Sequence, residues 1–349
     1  MSVNLTKKLL PQQKEILLTV IIPAYNVSEY IEACVKSMIF HKNEDKIEIL
    51  IVNDGSKDNT KELVKKLIFD YCDEVRPIIR LIDKENGGHG STINVGVREA
   101  KGKYLKVVDG DDWLDTPAFK KLIDILDKET ADIILNDYCE DRTDFGALAE
   151  KKLYSFMTAG IHYEVDDLCM SDDSFGEWGP ILATSTYKTQ MLKDANFELS
   201  EKCYYVDMEF NSFIIANADT VVYYPLDIYR YFIGREGQSI SEGSYKRNVK
   251  DHEKVLLRLI NISEDGKMSA QKKKYIFEKL ILPMYNAHHI ILIDYLRKRK
   301  HLAAFNKKIK EFSNLFENVT MTRRFRLHIK TNGLLMPFDK ILVKLFSKK

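Results

Sequence analysis

Apolar runs rich in β-branched residues alternate with helical segments through the first half of the chain, and this alternation constrains the fold most. The runs are LLTVIIPAYN, KIEILIVND, RPIIRLID, KYLKVVDGDD and ADIILNDY. Continuous apolar runs without polar alternation indicate strands that are buried on both faces. Because helices with short connections separate them, the sequence predicts an α/β fold: a mostly parallel sheet covered by helices on both faces.

The segments between these strands carry signals for the start of a helix. Ser28 is predicted to cap the first helix, and Ser56 or Asp58 the second. The Gly-rich turn GGHG opens the third helix, and Pro117 opens the fourth. Beyond residue 245, apolar positions recur at helical spacing, so we expect a helical region after the sheet.

Polar side chains follow four consecutive predicted strands, at Asn26, Asp54, Asp83 and Asp109. The carboxyl ends of parallel strands meet at one edge of a sheet, and ligands of such sheets bind there. Loops are in general rich in Asp and Asn, so these positions alone are weak evidence. Loop composition does not explain the cluster Asp109-Gly110-Asp111-Asp112.

Three closely spaced carboxylates repel one another unless a cation or hydrogen-bond donors neutralise them. Mg²⁺ and Mn²⁺ prefer oxygen ligands and are often held by one or two carboxylates together with substrate phosphates. Gly110 is expected to let a ligand approach the backbone. The cluster therefore predicts a divalent metal that bridges a diphosphate and neutralises charge on a leaving group.

The charge of the chain is divided between two regions. Residues 1–242 hold 28 basic and 43 acidic side chains, whereas residues 243–349 hold 25 and 9. Net charges of −15 and +16 indicate two modules with different partners. The acidic region has the wrong sign for nucleic acid. The basic region suits an anionic lipid surface, a phosphate-rich acceptor or the acidic region itself.

Several classes of site and location are disfavoured by missing patterns. The sequence has no GxxxxGK[ST] phosphate loop, no GxGxxG dinucleotide fingerprint and no GxSxG nucleophile elbow. Its five cysteines are scattered, as in a reduced cytosolic protein. We recognise no signal peptide and no apolar run approaching the ~20 residues of a membrane span. We therefore expect a cytoplasmic protein, working at the inner face of the plasma membrane if the basic region binds lipid.

Four segments in order resemble the family 2 glycosyltransferases of the GT-A fold, over about residues 17–240. They are VIIPAYNVSEYIEACVKSM, ILIVNDGSKDNT, NGGHGSTINVGVREAKGKYLKVVDGDDWLD and YYVDMEF. The resemblance implies a GT-A catalytic domain at 1–242, with nucleotide-sugar binding in 17–140 and the acceptor side in 141–242. The basic helical region, 243–349, would follow it.

The resemblance also implies the reaction and its partners. A bacterial-type enzyme of cell-surface glycan synthesis would move a hexose from a nucleotide sugar, with UDP the expected nucleotide, and would invert the anomeric centre. The acceptor would be a hydroxyl on a glycan, lipid-linked or protein-linked molecule, and the cofactor Mn²⁺ or Mg²⁺. A protein of the same fold that binds sugar nucleotides without catalysis is the alternative.

For the donor side, the resemblance assigns roles to individual residues. Pro23, Tyr25 and Asn26 would line the base pocket, and Asp54 would accept the ring N–H of the base. Asp109 would contact the ribose and share the metal with Asp111, and Asp112 would lie near the hydroxyls of the donor sugar. Arg235 and Gln238, in a predicted closing loop at 229–241, would reach the diphosphate, as would Arg230.

For the acceptor side, Asp207 occupies the place of the general base, and Trp178 with Glu177 would lie near the acceptor. An apolar setting around Asp207 is expected to raise its pKa. The family often has Glu before this Asp, but Val206 stands here, so Glu209 is the second candidate. The family often has an Arg-Asn pair where Ile93-Asn94 stands, which would shift the role of the Arg toward His89.

Two features of the basic region remain open to interpretation. His288 and His289 have no partner at metal-binding spacing and are interpreted as part of a helical core. The end of the chain, residues 323–349, mixes Arg and Lys with Leu, Met, Phe and Ile. Such a segment lies in a bilayer interface as a peripheral contact, or else packs its apolar side onto the protein.

Overall fold

The structure, a computed structural model, describes residues 15–40, 46–71, 78–142, 147–170, 175, 180–233, 246–316, 323–339 and 342–343. The chain divides into two compact units, Met1–Arg235 and Glu236–Lys349. The boundary predicted from the sequence, between residues 242 and 243, falls within 234–245, outside the described residues. It therefore stays a prediction.

The first unit is built on one mixed sheet. Its strands are β1 Leu18–Ala24, β2 Ile47–Asn53, β3 Ile78–Asp83, β4 Tyr104–Val107, β5 Trp113–Leu114, β6 Ile133–Arg142, β7 Ala147–Lys151, β8 His162–Glu164, β9 Ser185–Lys188 and β10 Thr220–Ile233. All five strands predicted from the apolar runs are present. Every side chain of β1 and β2 is buried, as expected for strands covered on both faces.

The helices of the first unit follow most of the predicted strands. They are α1 Ile31–Lys36, α2 Thr60–Tyr71, α3 His89–Glu99, α4 Thr116–Leu126, α5 Val165–Met170, α6 Thr189–Asp194 and α7 Val206–Asn217. The cap predicted for α1 at Ser28 is wrong, because the N–H of Ile31 already bonds to Val27 O and no side chain caps the helix. Asp58, rather than Ser56, accepts the N–H of Thr60 where α2 begins.

The sheet has the order β3-β2-β1-β4-β9-β6-β10-β5. The first four strands run parallel, and β6 and β10 are also parallel neighbours. The short polar strand β9 lies antiparallel between β4 and β6. No apolar run in the sequence predicts β9. With this strand the sheet is mixed but mostly parallel, which confirms the predicted fold class.

Hydrogen bonds join the loops that leave the carboxyl ends of the four parallel strands. The N–H of Asp54, after β2, donates to Ala24 O at 2.8 Å, and the N–H of Gly110, after β4, donates to Pro23 O at 3.2 Å. The side chain of Asn53 donates to Asp83 Oδ1 at 2.7 Å. The four polar strand ends therefore share one edge of the sheet, as the sequence predicts.

The second unit is helical over its described residues, as predicted. Its α-helices are α8 Val249–Ser263, α9 Ala270–Tyr275, α10 Leu282–Ile290, α11 Arg299–Ile309, α12 Ser313–Phe316 and α13 Arg323–Lys330. π-Helical segments, Ile276–Ile281 and Ile291–Leu296, follow α9 and α10. His288 and His289 are buried in this core, as expected. None of the described helices combines the length and apolar character needed to cross a bilayer.

Candidate active site

The loop after β1 is fixed to the loop after β2 by its own polar groups. Asn26 has a left-handed backbone with φ 54°. Its N–H donates to Ser56 Oγ at 3.0 Å, and its side-chain oxygen accepts the N–H of Lys57 at 2.8 Å. Tyr25 beside it is 44% exposed. An aromatic ring is thus presented to solvent on a hydrogen-bonded loop just beyond β1, whose last two residues are Pro23 and Ala24.

Asp54 is the centre of a buried network. It is 2% exposed, and its carboxylate accepts hydrogen bonds from the N–H groups of Gly87 and Gly88, both at 2.8 Å. Lys84 Nζ pairs with the same carboxylate at 2.6 Å. In this geometry Asp54 fixes the glycine turn that opens α3. Its predicted contact with the N–H of a base remains a prediction.

His89, the first residue of α3, pairs with Asp109. Its Nε2 lies 2.9 Å from Asp109 Oδ1. Burial opposes protonation of this imidazole, but the negative charge of Asp109, with Asp207 and Asp111 beyond it, outweighs burial and raises the pKa of His89 to about 9. A cationic histidine therefore stands among the aspartates near neutral pH.

Asp112 differs from its neighbours because it faces the protein interior. It is 2% exposed, and it accepts hydrogen bonds from the hydroxyl of Tyr229 at 2.5 Å and from the N–H of Phe232 at 2.9 Å. Burial, followed by the charge of Asp109, raises the pKa of Asp112 to about 8. The Tyr229 hydroxyl also accepts the N–H of Asp109 at 3.2 Å. Tyr229 and Asp112 therefore hold residues 109–112, the acidic loop, from its buried side. The predicted contact of Asp112 with sugar hydroxyls remains a prediction.

Gly110 packs against the loop after β1, and this contact leaves no room for a side chain. A Cβ atom there would lie 3.0 Å from Pro23 O and 3.1 Å from a methyl group of Val27. The neighbour that requires glycine is therefore the β1 loop of the protein itself. The expectation that Gly110 makes room for a ligand is not needed to explain the residue.

The carboxylates of the acidic loop are the candidate ligands for a divalent cation. Within the described residues, no three His, Cys, Asp or Glu side chains are arranged to hold a metal ion by themselves. Because Asp112 is turned inward, the loop offers only Asp109 and Asp111 to the solvent side, and both are partly exposed. One or two carboxylates completed by phosphate oxygens is how proteins commonly hold Mg²⁺. The donor set therefore fits a metal that arrives with a diphosphate.

Asp207, in the first turn of α7, lies in the same electrostatic neighbourhood although it is distant in sequence. Solvent reaches its side chain, but protein atoms surround it. This desolvation raises the pKa of Asp207, as predicted, while His89 lowers it and Asp109 raises it further. The fold thus brings Asp207 within electrostatic range of both His89 and Asp109.

Glu209, the second candidate for the base, has a different environment. Its side chain is 1% exposed, and its Oε2 accepts the N–H of Ser200 at 2.8 Å. A buried carboxylate that pairs with a backbone amide is poorly placed to receive a proton from an external hydroxyl. Exposure and surroundings favour Asp207.

The Ile93-Asn94 pair is accounted for by packing. Ile93 is fully buried in α3. The side chain of Asn94 donates to Leu199 O at 2.9 Å and accepts the N–H of Leu199 at 2.7 Å. Neither residue supplies the charge that an Arg would bring, whereas His89, the first residue of the same helix, is a cation near neutral pH.

The remaining predicted site residues lie either outside the described residues or at the end of β10. Trp178, Glu177, Arg235 and Gln238 lie outside the described residues. The predicted closing loop at 229–241 is wrong for residues 229–233, which form the end of β10. Arg230 there pairs with Asp115 at 3.1 Å and Asp227 at 2.7 Å, so it is occupied away from a diphosphate.

Tyr229 and Tyr231 are site residues that the sequence analysis missed. Tyr231 is partly buried, and burial, followed by the charges of Asp112, Asp109, Asp111 and Asp207, raises its pKa to about 12. The two tyrosines are two positions apart on β10. Side chains with this spacing lie on the same face of a strand. That period of two was the signal available in YRYF.

Comparison with known proteins agrees with this geometry. Residues 19–166 match the sequence profile of "Glycosyl transferase family 2". The chain is 27% identical over 237 residues to EpsJ of Bacillus subtilis, described as an uncharacterized glycosyltransferase, covering 68% of this chain and 66% of EpsJ. It is 28% identical over 229 residues to the glycosyltransferase GlyA of Streptococcus pneumoniae, covering 62% of this chain but only 30% of GlyA.

A solved structure shares the fold over nearly the whole chain. The 1–349 fragment of TarS from S. aureus, solved with UDP-GlcNAc, superposes with a TM-score of 0.64 and 18% identity. The match covers 93% of this chain and 92% of that fragment. Identity at this level shows a common fold, GT-A, and leaves substrates to be argued from the residues.

Proposed function

This chain belongs to the family 2 glycosyltransferases, and we propose from that premise that it moves a hexose from a UDP-linked donor to a hydroxyl group, with inversion. The observation that carries the proposal is the arrangement of Asp109, Asp111 and Asp207 around the His89 cation. One isolated acid and one group of acids are what such a displacement needs. We propose a glycan, lipid-linked or protein-linked acceptor within a bacterial cell-surface pathway.

On the donor side, the rigid loops after β1 and β2 supply the nucleotide pocket. The exposed ring of Tyr25 offers a stacking surface for the base, and Asp109 would accept hydrogen bonds from the ribose. TarS, which has the same fold, binds UDP-GlcNAc, and this supports a uridine nucleotide as the first donor to test.

A divalent cation, Mn²⁺ or Mg²⁺, would be held by Asp111 and Asp109 and would stabilise the negative charge of the leaving diphosphate. His89 adds a second positive group at the same edge, where it balances Asp109. Asp54, Lys84 and the glycine turn hold the edge in place.

Asp207 would act as the general base. Its carboxylate accepts the proton of the acceptor hydroxyl as that oxygen attacks the anomeric carbon, and the bond from this carbon to the diphosphate breaks. The electron pair of that bond leaves with UDP. Desolvation raises the pKa of Asp207 above its ordinary value, which makes its carboxylate a stronger base and suits this role.

The test is release of free nucleotide from a panel of UDP-, GDP- and TDP-linked sugars, with Mn²⁺ or with excess EDTA. We expect slow metal-dependent hydrolysis of at least one UDP-sugar, because water takes the place of an absent acceptor. Binding of UDP without release of UDP from any sugar would favour the alternative, a binding protein without catalysis. Full activity in EDTA would contradict the metal role.

We also propose that the enzyme works at the inner face of the plasma membrane, held through its basic region. Arg323, Arg326 and Lys330 are exposed in and around α13, and Leu334 and Phe338 just beyond are 55% and 56% exposed. Basic side chains beside apolar ones suit an anionic bilayer surface, where each contributes about 1 kcal/mol. Arg324 has a different role, because it pairs with Asp294 and Asp339.

Co-sedimentation with vesicles of neutral or anionic lipid tests this placement. Replacing Arg323, Arg326 and Lys330 with Gln should weaken binding to anionic vesicles, most visibly at low salt. Replacing the exposed Lys101, Lys121 and Lys128 of the first unit is the matched control and should change binding little. Wild-type protein that stays in the supernatant under all conditions would exclude the membrane role.

A further inference from the structure

The segment 199–203, which leads into α7, is held by polar contacts from three other parts of the first unit. Asn94 of α3 bonds to both the N–H and the carbonyl of Leu199, at 2.7 and 2.9 Å. Glu209, from inside α7, accepts the N–H of Ser200 at 2.8 Å. The N–H of Lys202 donates to Gly87 O at 2.5 Å. The segment therefore has few ways to move without breaking a bond.

The glycine turn that opens α3 is shaped to receive this segment. A Cβ atom on Gly90 would collide with Ser200 O, and one on Gly88 would lie 3.3 Å from the N–H nitrogen of Lys202. Gly88 also has φ 83°, a conformation that favours glycine. Asp54 holds the other side of the same turn. We call the glycine turn 87–90, Asn94, segment 199–203 and Glu209 the brace.

Asn94 and Glu209, the two side chains that bond to segment 199–203, are buried. Asn94 is 7% exposed and Glu209 is 1% exposed. A buried polar group is costly without a partner, so these bonds specify one geometry rather than several. Tyr205, between the segment and α7, has a left-handed backbone with φ 68°. Such a conformation in a bulky residue persists only where its surroundings determine it.

We propose that Asn94 and Glu209 are positioning residues, which set the general base Asp207 against the acidic loop by fixing segment 199–203. The proposal rests on the proposed function. Asp207 lies five residues beyond Lys202 and in the first turn of α7, so a displaced segment displaces its carboxylate. Because the glycine turn also carries His89, which pairs with Asp109, the brace joins the proposed base to the acidic loop in one rigid unit.

The variants are Asn94→Leu and Glu209→Ala, which remove the bonds, and Glu209→Gln, whose amide oxygen still accepts the N–H of Ser200. The readouts are Mn²⁺-dependent release of UDP from UDP-GlcNAc, or from the UDP-sugar hydrolysed fastest, and the Kd for UDP. A displacement of about 1 Å costs up to about 10²-fold in rate. We expect Asn94→Leu and Glu209→Ala to lower kcat by about 10- to 100-fold, with an almost unchanged Kd for UDP. Glu209→Gln should retain most of the rate.

A double variant with Asp207→Asn distinguishes loss of positioning of the base from a general loss of structure. If Asn94 acts through Asp207, the double variant Asn94→Leu/Asp207→Asn should be no slower than Asp207→Asn alone. Asn306→Leu is the matched control, since buried Asn306 holds Ile329 O at 3.1 Å in the second unit. It should leave kcat unchanged even if it lowers the melting temperature. Should Asn94→Leu fail to fold, Gly90→Ala, which pushes on Ser200 O, takes its place.

Three kinetic results would overturn the proposal: wild-type rates in both Asn94→Leu and Glu209→Ala, losses that multiply with Asp207→Asn, or a Glu209→Gln variant as slow as Glu209→Ala. The last would show that the charge of Glu209 itself is needed. Hydrogen exchange gives a readout that does not depend on activity. Asn94→Leu should lose amide protection at 199–207 only, and unchanged protection there would also overturn the proposal.

Failure of the proposed function would look different. In that case the wild-type protein releases no nucleotide from any sugar, or Asp207→Asn is as fast as wild type. The exchange experiment would still report whether the bonds of Asn94 hold segment 199–203. Loss of protection confined to that segment would support the brace as the device that places α7, whatever the chemistry at Asp207.

Discussion

Each unit of the molecule holds a cluster of titratable side chains, and the two clusters have opposite electrostatics. In the first unit, the pKa of His89 is raised to about 9. In the second, the pKa of His252 is lowered to about 3 and that of His289 to about 4. The same side chain is thus a cation in one cluster and neutral in the other. The difference separates a charged cluster beside Asp109 from an uncharged one in the helical unit.

The cause is the balance between charged partners and burial. His89 is partly exposed and pairs with Asp109, with further carboxylates nearby. His252 and His289 are buried, and burial is the largest influence on each. His252 Nδ1 lies 3.2 Å from His288 Nδ1, with their rings stacked, so a proton on both would be repulsive. We infer that the histidine cluster serves packing and the acidic cluster serves catalysis.

The largest expected effect comes from breaking the acidic cluster at its exposed side. Asp111→Asn removes a metal oxygen ligand and should abolish metal-dependent release of UDP from a UDP-sugar. Because it also removes a negative charge from a crowded loop, it should not lower the melting temperature. Replacement of Asp124, an exposed aspartate of α4, by Asn is the control and should keep the wild-type rate. A near-wild-type rate in Asp111→Asn would remove the metal role.

The histidine cluster, His252, His288 and His289, should instead affect how the stability of the protein depends on acid pH. The folded pKa values of His252 and His289 lie below the usual 6.5, so the unfolded state binds more protons as pH falls. The contribution of these two histidines to the free energy of unfolding is therefore complete above pH 6.5. It declines below that pH toward pH 4, by about 1.4 kcal/mol per pH unit for each histidine. Urea unfolding of the full chain between pH 7.5 and 4.5 measures this slope.

A variant assigns that slope to the cluster. His252→Phe keeps an aromatic ring against His288 but cannot titrate. It should be less stable at neutral pH, because His288 loses a hydrogen-bond partner, and its stability should depend less on pH below 6.5. An unchanged slope would mean that other groups control acid unfolding.

Tyr229→Phe tests the hydrogen bonds that the Tyr229 hydroxyl makes within the acidic cluster. Loss of the hydroxyl leaves buried Asp112 without one hydrogen bond and Asp109 N–H without its acceptor. We expect a loss of about 1–3 kcal/mol in the free energy of unfolding. The hydrogen bond from Tyr229 lowers the pKa of Asp112, so the variant should also raise that pKa further. Stability equal to wild type would show that Tyr229 does not brace the loop.

The smallest effect is expected for the His89–Asp109 pair at alkaline pH. The folded pKa of His89 lies above 6.5, so its stabilisation is complete below pH 6.5 and is lost as pH rises through about 9. Solvent screens this partly exposed pair, so we expect about 1 kcal/mol. His89→Asn should remove that component between pH 6.5 and 10. A slope identical to wild type would show that the ion pair contributes nothing.

The polar edge of the sheet was predictable from the sequence because strand ends and carboxylates are both local signals. The apolar runs fixed β1 to β4, and the parallel order then placed Asp54, Asp83 and Asp109 together. Asp207 was assigned through family resemblance alone. No local pattern shows that α7 brings it toward His89, since this depends on contacts between residues distant in sequence.

Other parts of the site were beyond sequence reasoning for identifiable reasons. Strand β9, Ser185–Lys188, is short and polar, so no apolar run marks it. Pro225 and Asp227 interrupt the apolar pattern of β10, and a register shift occurs there, which concealed Tyr229. Asn94 looked like half of an altered motif, because a side chain that bonds to distant backbone leaves no periodic signal.

The central claim is that Asp207 takes the proton in the reaction at the acidic edge. The direct test compares wild type with Asp207→Asn at saturating UDP-sugar and Mn²⁺, measuring UDP release together with the Kd for UDP. We predict a rate lower by about 10²- to 10⁴-fold, as for loss of a general base, with a nearly unchanged Kd. Equal rates for the two proteins would contradict the claim.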